Sequence, residues 1–377
     1  MNTYTTHLAD IEFQVTSNGV GLITLARPKA LNALNLPMVR VLTQHLRAWQ
    51  DDPAIRAVAI RGCDKQGPFG AFCAGGDIRF FHQAATNGDP ALEDFFTEEY
   101  ALNHLVFTYR KPYIAFLDGI VMGGGMGISQ GSRVRIVTER TRMAMPETAI
   151  GLFPDVGGGH FLARCPGHVG EYLALTGHVM GANEALAYGL ADVIAPAANL
   201  PKAWEALSTL SAPNPQAFGQ AWQDWMTQAG WRREAGTDHL LTAEVEACFG
   251  QPDVAAIVQA LATTHSEAAR KTLETLRTRS PLMLHVVLEQ VRRGRNLSLA
   301  DELRLERDLV RHCFDTAHLQ RRGHGSETVE GIRALAVDKD HAPRWNPARI
   351  EDVTPEMVAP FFTSPWPAHA HPLRDLA

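Results

Sequence analysis

A chain of 377 residues suits one large or two medium domains, and 45% hydrophobic residues can fill a sizeable core. A net charge of −6 argues against nucleic acid as the main partner, and no apolar run nears the roughly 20 residues that span a bilayer. The five cysteines, odd in number and widely spaced, read as free thiols in a reducing compartment. Residues 1–13 carry neither the basic and apolar regions of a secretory signal nor the arginines of a transit peptide, so the expected location is cytoplasmic.

In chain order, Ile11–Val15 and Val20–Leu25 flank Thr16-Ser-Asn-Gly19, a hairpin signal. Leu31 to Trp49 follows with Leu36, Val39, Leu42 and Leu46 at helical spacing. Ala57–Arg61 reads as a short buried strand, and Gly62–Gly76 as a loop with five glycines. Asp77 to Arg110 reads as helix, broken near Asn87-Gly88-Asp89-Pro90. Lys111–Leu117 and Val134–Val137 are the next strands. Strands of continuous apolar character alternating with helices favour an α/β layer with parallel strands. After Val193 the composition changes. Residues 195–201 form a candidate linker, and helical periodicity dominates from Lys202 to His318. Ser280-Pro281 is a cap and first-turn proline for a helix reaching Arg293. In Leu299–Cys313, Glu302 and Glu306 beside Arg307 and Arg311 have the spacing of a solvated helical face. The chain therefore divides into a core, 1–195, and a mainly helical region, 196–377, expected to cover it.

The chemistry concentrates in residues 111–159. Gly123, Gly124 and Gly125 suit a backbone that bends sharply or approaches something closely. A helix from Met126 to Gly131 would point bare N–H groups ahead of it. Glu147 and Asp155 stand among Ala149, Ile150, Leu152 and Phe153, which implies burial. A buried carboxyl has a raised pKa and exchanges protons near neutrality. N–H donors and two carboxylates together suit reaction at a carbonyl. Gly127-Ile-Ser129-Gln-Gly131 fits the G-x-S-x-G spelling of a nucleophile elbow. No strand ends at its first glycine, so Ser129 is expected inside the helix. The 16 histidines are scattered without metal-ligand spacing, so no metal is expected.

Three stretches carry a resemblance: Phe72-Cys-Ala-Gly-Gly-Asp-Ile-Arg79, Met122-Gly-Gly-Gly125 and Met145-Pro-Glu-Thr-Ala-Ile-Gly-Leu-Phe-Pro-Asp-Val-Gly-Gly-Gly159. They resemble the crotonase (enoyl-CoA hydratase/isomerase) superfamily, and the last resembles its 3-hydroxyisobutyryl-CoA hydrolase branch. The likeness runs from about Gly21 to Val193 and returns at Glu330-Gly-Ile-Arg-Ala334 and Val337-Asp-Lys-Asp340. It implies a spiral of ββα turns with a mainly helical C-terminal region. It implies an oxyanion hole from the N–H groups of Gly76 and Gly124, and catalytic roles for Glu147 and Asp155. Glu147 would activate water or attack the thioester itself; Asp155 would bind the substrate hydroxyl or manage the proton. Glu99, in Thr97-Glu-Glu-Tyr100, and Asp77 and Ile78 would bind substrate.

Hydratases of the superfamily carry a glutamate two positions after the Gly-Gly-Gly turn, where this chain has Gly127, and a glycine where it has Asp155. That exchange fits attack at the carbonyl. The implied activity is hydrolysis of a short 3-hydroxyacyl-CoA, foremost 3-hydroxyisobutyryl-CoA in valine breakdown. Coenzyme A enters as part of the substrate, and no separate cofactor is expected. A hydratase or isomerase, or a non-catalytic acyl-CoA-binding protein, are the alternatives. Relatives often assemble as trimers or hexamers, so a homo-oligomer is implied unless the C-terminal helices block those surfaces.

Overall fold

The computed structural model describes residues 4–236 and 243–377. They form two compact units, each assembled from three stretches of chain. The first comprises 4–76, 105–143 and 179–236; the second comprises 77–104, 144–178 and 243–377. The division expected from composition, at 195/196, cuts the chain once. Residues 237–242 of its second part lie outside the described residues.

The first unit is built on one sheet. Its path runs β1 (Tyr4–Leu8), β2 (Ile11–Val15), β3 (Val20–Leu25), β4 (Ala57–Asp64), β5 (Tyr113–Leu117), β6 (Val134–Val137) and β7 (Val193–Ile194). The hairpin makes β2 and β3 antiparallel, with Phe13 opposite Ile23. From β3 onward every pairing is parallel. The sheet is thus mixed, where apolar strands alone had suggested a parallel layer. An antiparallel pair needs only a four-residue turn, and Thr16–Gly19 supplies it. β4 runs three residues beyond the expected Arg61, because Cys63 and Asp64 pair with Gly67–Pro68.

Alternation along β3 separates the faces. Gly21 leaves room for the Trp49 ring of α1 (Leu36–Asp51), 2.5 Å from where a Cβ would stand. α1 starts at Leu36, not Leu31: Leu31 and Asn32 have left-handed φ, and the Asn35 side chain caps Met38 N–H. Val20 and Leu22 face the other way. There they join Phe69, Phe116, Trp204 of α6 (Leu200–Leu207) and Trp222 of α7 (Pro215–Gln228) in one buried cluster. Burying each such phenylalanine stabilises the unit by roughly 1.5–3 kcal/mol. Ala195, Ala197 and Leu200 are buried as well. Residues 195–201 therefore do not act as a linker; they carry the chain from β7 into α6 against the core.

The second unit holds α2 (Ile78–Asn87), the described part of α3 (Ala91–Phe107) up to His104, the turn Glu147–Ile150 and α5 (Gly158–Leu162). It also holds α8 (Pro281–Gly294) and α9 (Leu299–Phe314). The break between α2 and α3 falls where Gly88 and Pro90 placed it. Ser280 accepts the Met283 N–H and starts α8 as expected. α9 departs from its sequence reading. Glu302, Glu306 and Arg307 are buried, not solvated. Their charges pair inward across the unit: Arg307 binds Glu93 and donates to Thr97 Oγ1 at 2.9 Å, and Arg311 reaches Glu93 at 2.8 Å.

Candidate active site

In the first unit, two backbone segments run side by side. Phe72 and Cys73 N–H both donate to Ile120 C=O, and Met122 N–H donates to Cys73 C=O at 2.9 Å. This zipper runs the Ala74–Gly76 backbone beside Met122–Gly124. Gly75 has φ +108°, a conformation that favours glycine, while a Cβ there would make only ordinary contact with Met122 C=O at 3.4 Å and Gly124 N at 3.6 Å. Leu34 N–H donates to Gly75 C=O and anchors the first segment. Among the described residues, no acceptor takes the N–H of Gly76 or of Gly124. The helix expected over Met126–Gly131 is a single turn, α4 (Gly124–Gly127). Such a turn has no macrodipole of consequence, and what it offers is its bare N–H groups. Ser129 lies just past it, fully buried, and its hydroxyl donates to Gly125 C=O at 2.7 Å. That is a local backbone bond, with no base beside it.

In the second unit, three carboxyls are buried. Glu99, Glu147 and Asp155 are 2%, 6% and 5% exposed. Glu147 opens its turn after Pro146, and Leu152 N–H closes back onto its C=O at 3.0 Å. Tyr100 O–H donates to Asp155 Oδ2 at 2.9 Å. Oε1 of Glu99 and Oε2 of Glu147 receive no hydrogen bond from any described residue. An unpaired carboxylate oxygen in an apolar interior is costly, so such groups either hold a proton or serve a bound molecule.

Burial raises all three acids. Glu99 is pushed well up by burial, then by the charges of Asp155 and Glu147. Glu147 is raised by burial and by Asp155. Asp155 is lifted by burial to about 7, with the Tyr100 hydrogen bond pulling the other way. All three acids are thus biased toward their protonated forms, and Asp155, at about 7, can exchange a proton near neutral pH beside the other two.

Two further residues singled out from sequence open α2. Asp77 caps α2, accepting Phe80 N–H at 3.3 Å, and Ile78 is its half-buried first residue. Tyr100 was missed. It adjoins Glu99 in the same motif, and a tyrosine beside an acid on a buried helix was the available signal. Glu306 was also missed: Gly157 N–H donates to its Oε2 at 2.7 Å and Gly159 N–H to its Oε1 at 3.2 Å.

An enoyl-CoA hydratase/isomerase family model matches residues 20–362. The 3-hydroxyisobutyryl-CoA hydrolase of Xenopus tropicalis, named as mitochondrial, is 39% identical over 359 residues, covering 94% of this chain and 89% of its own. The human protein of the same name is 37% identical over 347 residues, covering 91% and 86%. A structure described as a carnitinyl-CoA dehydratase from Mycobacterium thermoresistibile superposes with a TM-score of 0.83 at 34% identity, covering 97% of this chain and 99% of its own. One described as an enoyl-CoA hydratase from Rhodobacter sphaeroides gives 0.81 at 35%, covering 95% and 98%. The fold is that of the crotonases, as the resemblance implied. The chain belongs to the enoyl-CoA hydratase/isomerase family.

Proposed function

We propose that this protein hydrolyses a short 3-hydroxyacyl-CoA thioester, foremost 3-hydroxyisobutyryl-CoA, to the free acid and coenzyme A. The observation that carries the reading is the placing of the acids. Glu99, Glu147 and Asp155 cluster in one buried pocket, whereas Gly127, the position of the first hydratase glutamate, has no side chain to hold a proton. Relatives at 35–39% identity named as this hydrolase support it.

In this reading the N–H groups of Gly76 and Gly124 take the charge that develops on the thioester oxygen, about 3 kcal/mol each. Glu147 delivers the attack, either on water or on the acyl carbon directly. Where water attacks, the C–S bond breaks, the acyl carbon keeps the water oxygen, and the proton taken up by the carboxyl returns to sulfur. Where Glu147 attacks, sulfur leaves with a proton from a protonated carboxyl, and water then opens the Glu147 anhydride to release the acid and restore the carboxyl. Asp155, held by Tyr100, receives the substrate hydroxyl or relays that proton; Glu99, Asp77 and Ile78 bind the acyl part. The pathway is valine breakdown. The five free thiols fit a reducing compartment, the cytoplasm in this reading. Among the described residues no helix is long and apolar enough to cross a membrane.

The solved structures described as a dehydratase and a hydratase favour a second reading, water addition to an enoyl-CoA. One experiment separates the two. Purified protein is given 3-hydroxyisobutyryl-CoA and, separately, crotonyl-CoA, and free thiol and enoyl absorbance are followed. Thiol release from the first, lost in Glu147→Gln, supports hydrolysis. Loss of enoyl absorbance without thiol release establishes the second reading instead.

A further inference from the structure

Behind the three acids stands a second buried carboxyl pair, Glu302 and Glu306, one helical turn apart on α9. Both Glu306 oxygens accept backbone N–H groups, from Gly157 and from Gly159. These are alternate residues of the segment that follows Asp155. From α8, Gln290 Nε2 donates to Pro154 C=O at 2.8 Å and lies 3.4 Å from Oε1 of each glutamate. The segment is thus held just before Asp155 by Gln290 and just after it by Glu306. Gly159 fits the same device: a Cβ there would stand 1.7 Å from Glu302 Oε1 and 2.6 Å from its Cδ.

We infer that Glu306, with Gln290, is a positioning residue of this site: it grips the loop that presents Asp155, and Glu302 carries the proton that limits the pair to one negative charge. The assignment of the proton follows from the donors. Two N–H groups pointing at both oxygens of Glu306 fit its ionised form. A second bare charge one turn away in an apolar interior would be strongly disfavoured. Burial pushes both carboxyls up, Glu302 to about 7 with Arg164 the cation facing it, while on Glu306 the Glu302 and Asp155 charges push the same way and only the Gly157 and Gly159 N–H groups oppose them. The remaining charge on Glu306 also acts on the site. Asp155 faces Glu99 and Tyr100 from α3, Glu147 from its turn, and Glu306 and Cys313 from α9. The Glu306 charge opposes ionisation of Asp155, while the grip fixes where that carboxyl stands. The inference rests on the hydrolase reading for what Asp155 does, though not for where it is held.

The test uses the full chain with ¹³C-labelled aspartate carboxyls, the Asp155 signal being assigned with Asp155→Asn. In Glu306→Gln the Asp155 titration midpoint falls by about one unit, a like charge having been removed. In Glu302→Gln, which mimics the protonated side chain, the midpoint stays at its wild-type value. Thiol release by Glu306→Gln falls about tenfold or more in kcat with little change in KM, as misplacement of a reacting group does. An unmoved midpoint in Glu306→Gln, or an equal shift in Glu302→Gln, overturns the inference. Should Glu306→Gln not fold, Gln290→Met decides: it keeps the volume but removes the N–H to Pro154, and an undiminished kcat counts against the grip. Wild type that releases no thiol sinks the hydrolase reading and leaves the titration to judge this one.

Discussion

Tyr100→Phe removes one oxygen atom from a fully buried ring and with it the 2.9 Å hydrogen bond to Asp155. A hydrogen bond to an ionised acceptor contributes roughly 1.5–3 kcal/mol. One pKa unit corresponds to about 1.4 kcal/mol, so losing the bond raises Asp155 by about 1–2 units. The sign is fixed: the hydroxyl favours the carboxylate, and its removal favours the acid. Asp155 starts at about 7. At about pH 7 the ionised fraction therefore drops from about one half to roughly 0.1–0.01. If turnover needs the carboxylate, kcat/KM falls roughly 5–50-fold near pH 7 and recovers as the pH approaches about 9 to 10. Thiol release measured across that range, on variant and wild type side by side, reads the shift directly. A Tyr100→Phe profile that superimposes on wild type, or one lowered equally at every pH, refutes the reasoning.

Ser129→Ala should keep hydrolysis within about twofold and cost about 1 kcal/mol of stability, because the hydroxyl reaches only the backbone C=O groups of Gly125 and Met126; loss of turnover would revive the nucleophile elbow. Arg307→Met should lower unfolding free energy by roughly 2–3 kcal/mol at unchanged urea m-value, since Glu93 and Thr97 lose a charged donor. Stability should also fall as pH rises through neutrality. Asp155 and Glu302 both stand at about 7, above their ordinary values, so the folded state binds protons that the unfolded chain has released. Their contribution is complete below the usual carboxylate range and is lost as pH climbs through about 7. Urea midpoints on either side of neutrality check this, and a midpoint that rises with pH contradicts it.

The sequence made Glu147 and Asp155 legible because their neighbours are apolar over a stretch too short to hide them in water. The hairpin, the α2–α3 break and the cap of α8 were legible for local reasons, since turn and cap chemistry acts within a few residues. α9 was not. Glu302, Glu306, Arg307 and Arg311 have the spacing of charges on a wet helix, and what buries the first three is packing against residues 93–97 and 154–159, more than 140 positions away. The same holds for residues 195–201, whose prolines suggested a linker while their alanines fill the core. Periodicity reports which residues share a face; it does not report what that face meets.

The bond from Gly157 to Glu306 spans 149 positions. During synthesis the loop bearing Asp155 leaves the ribosome long before its acceptor exists. At about 5–20 residues per second the wait is roughly 7–30 s. Through that interval the aspartate segment has no carboxylate to close on, so the nascent chain cannot complete this site. A stop codon between Asp155 and α9 leaves a product that still encodes Glu147 and Asp155, yet lacks the anchor that holds the second of them in place.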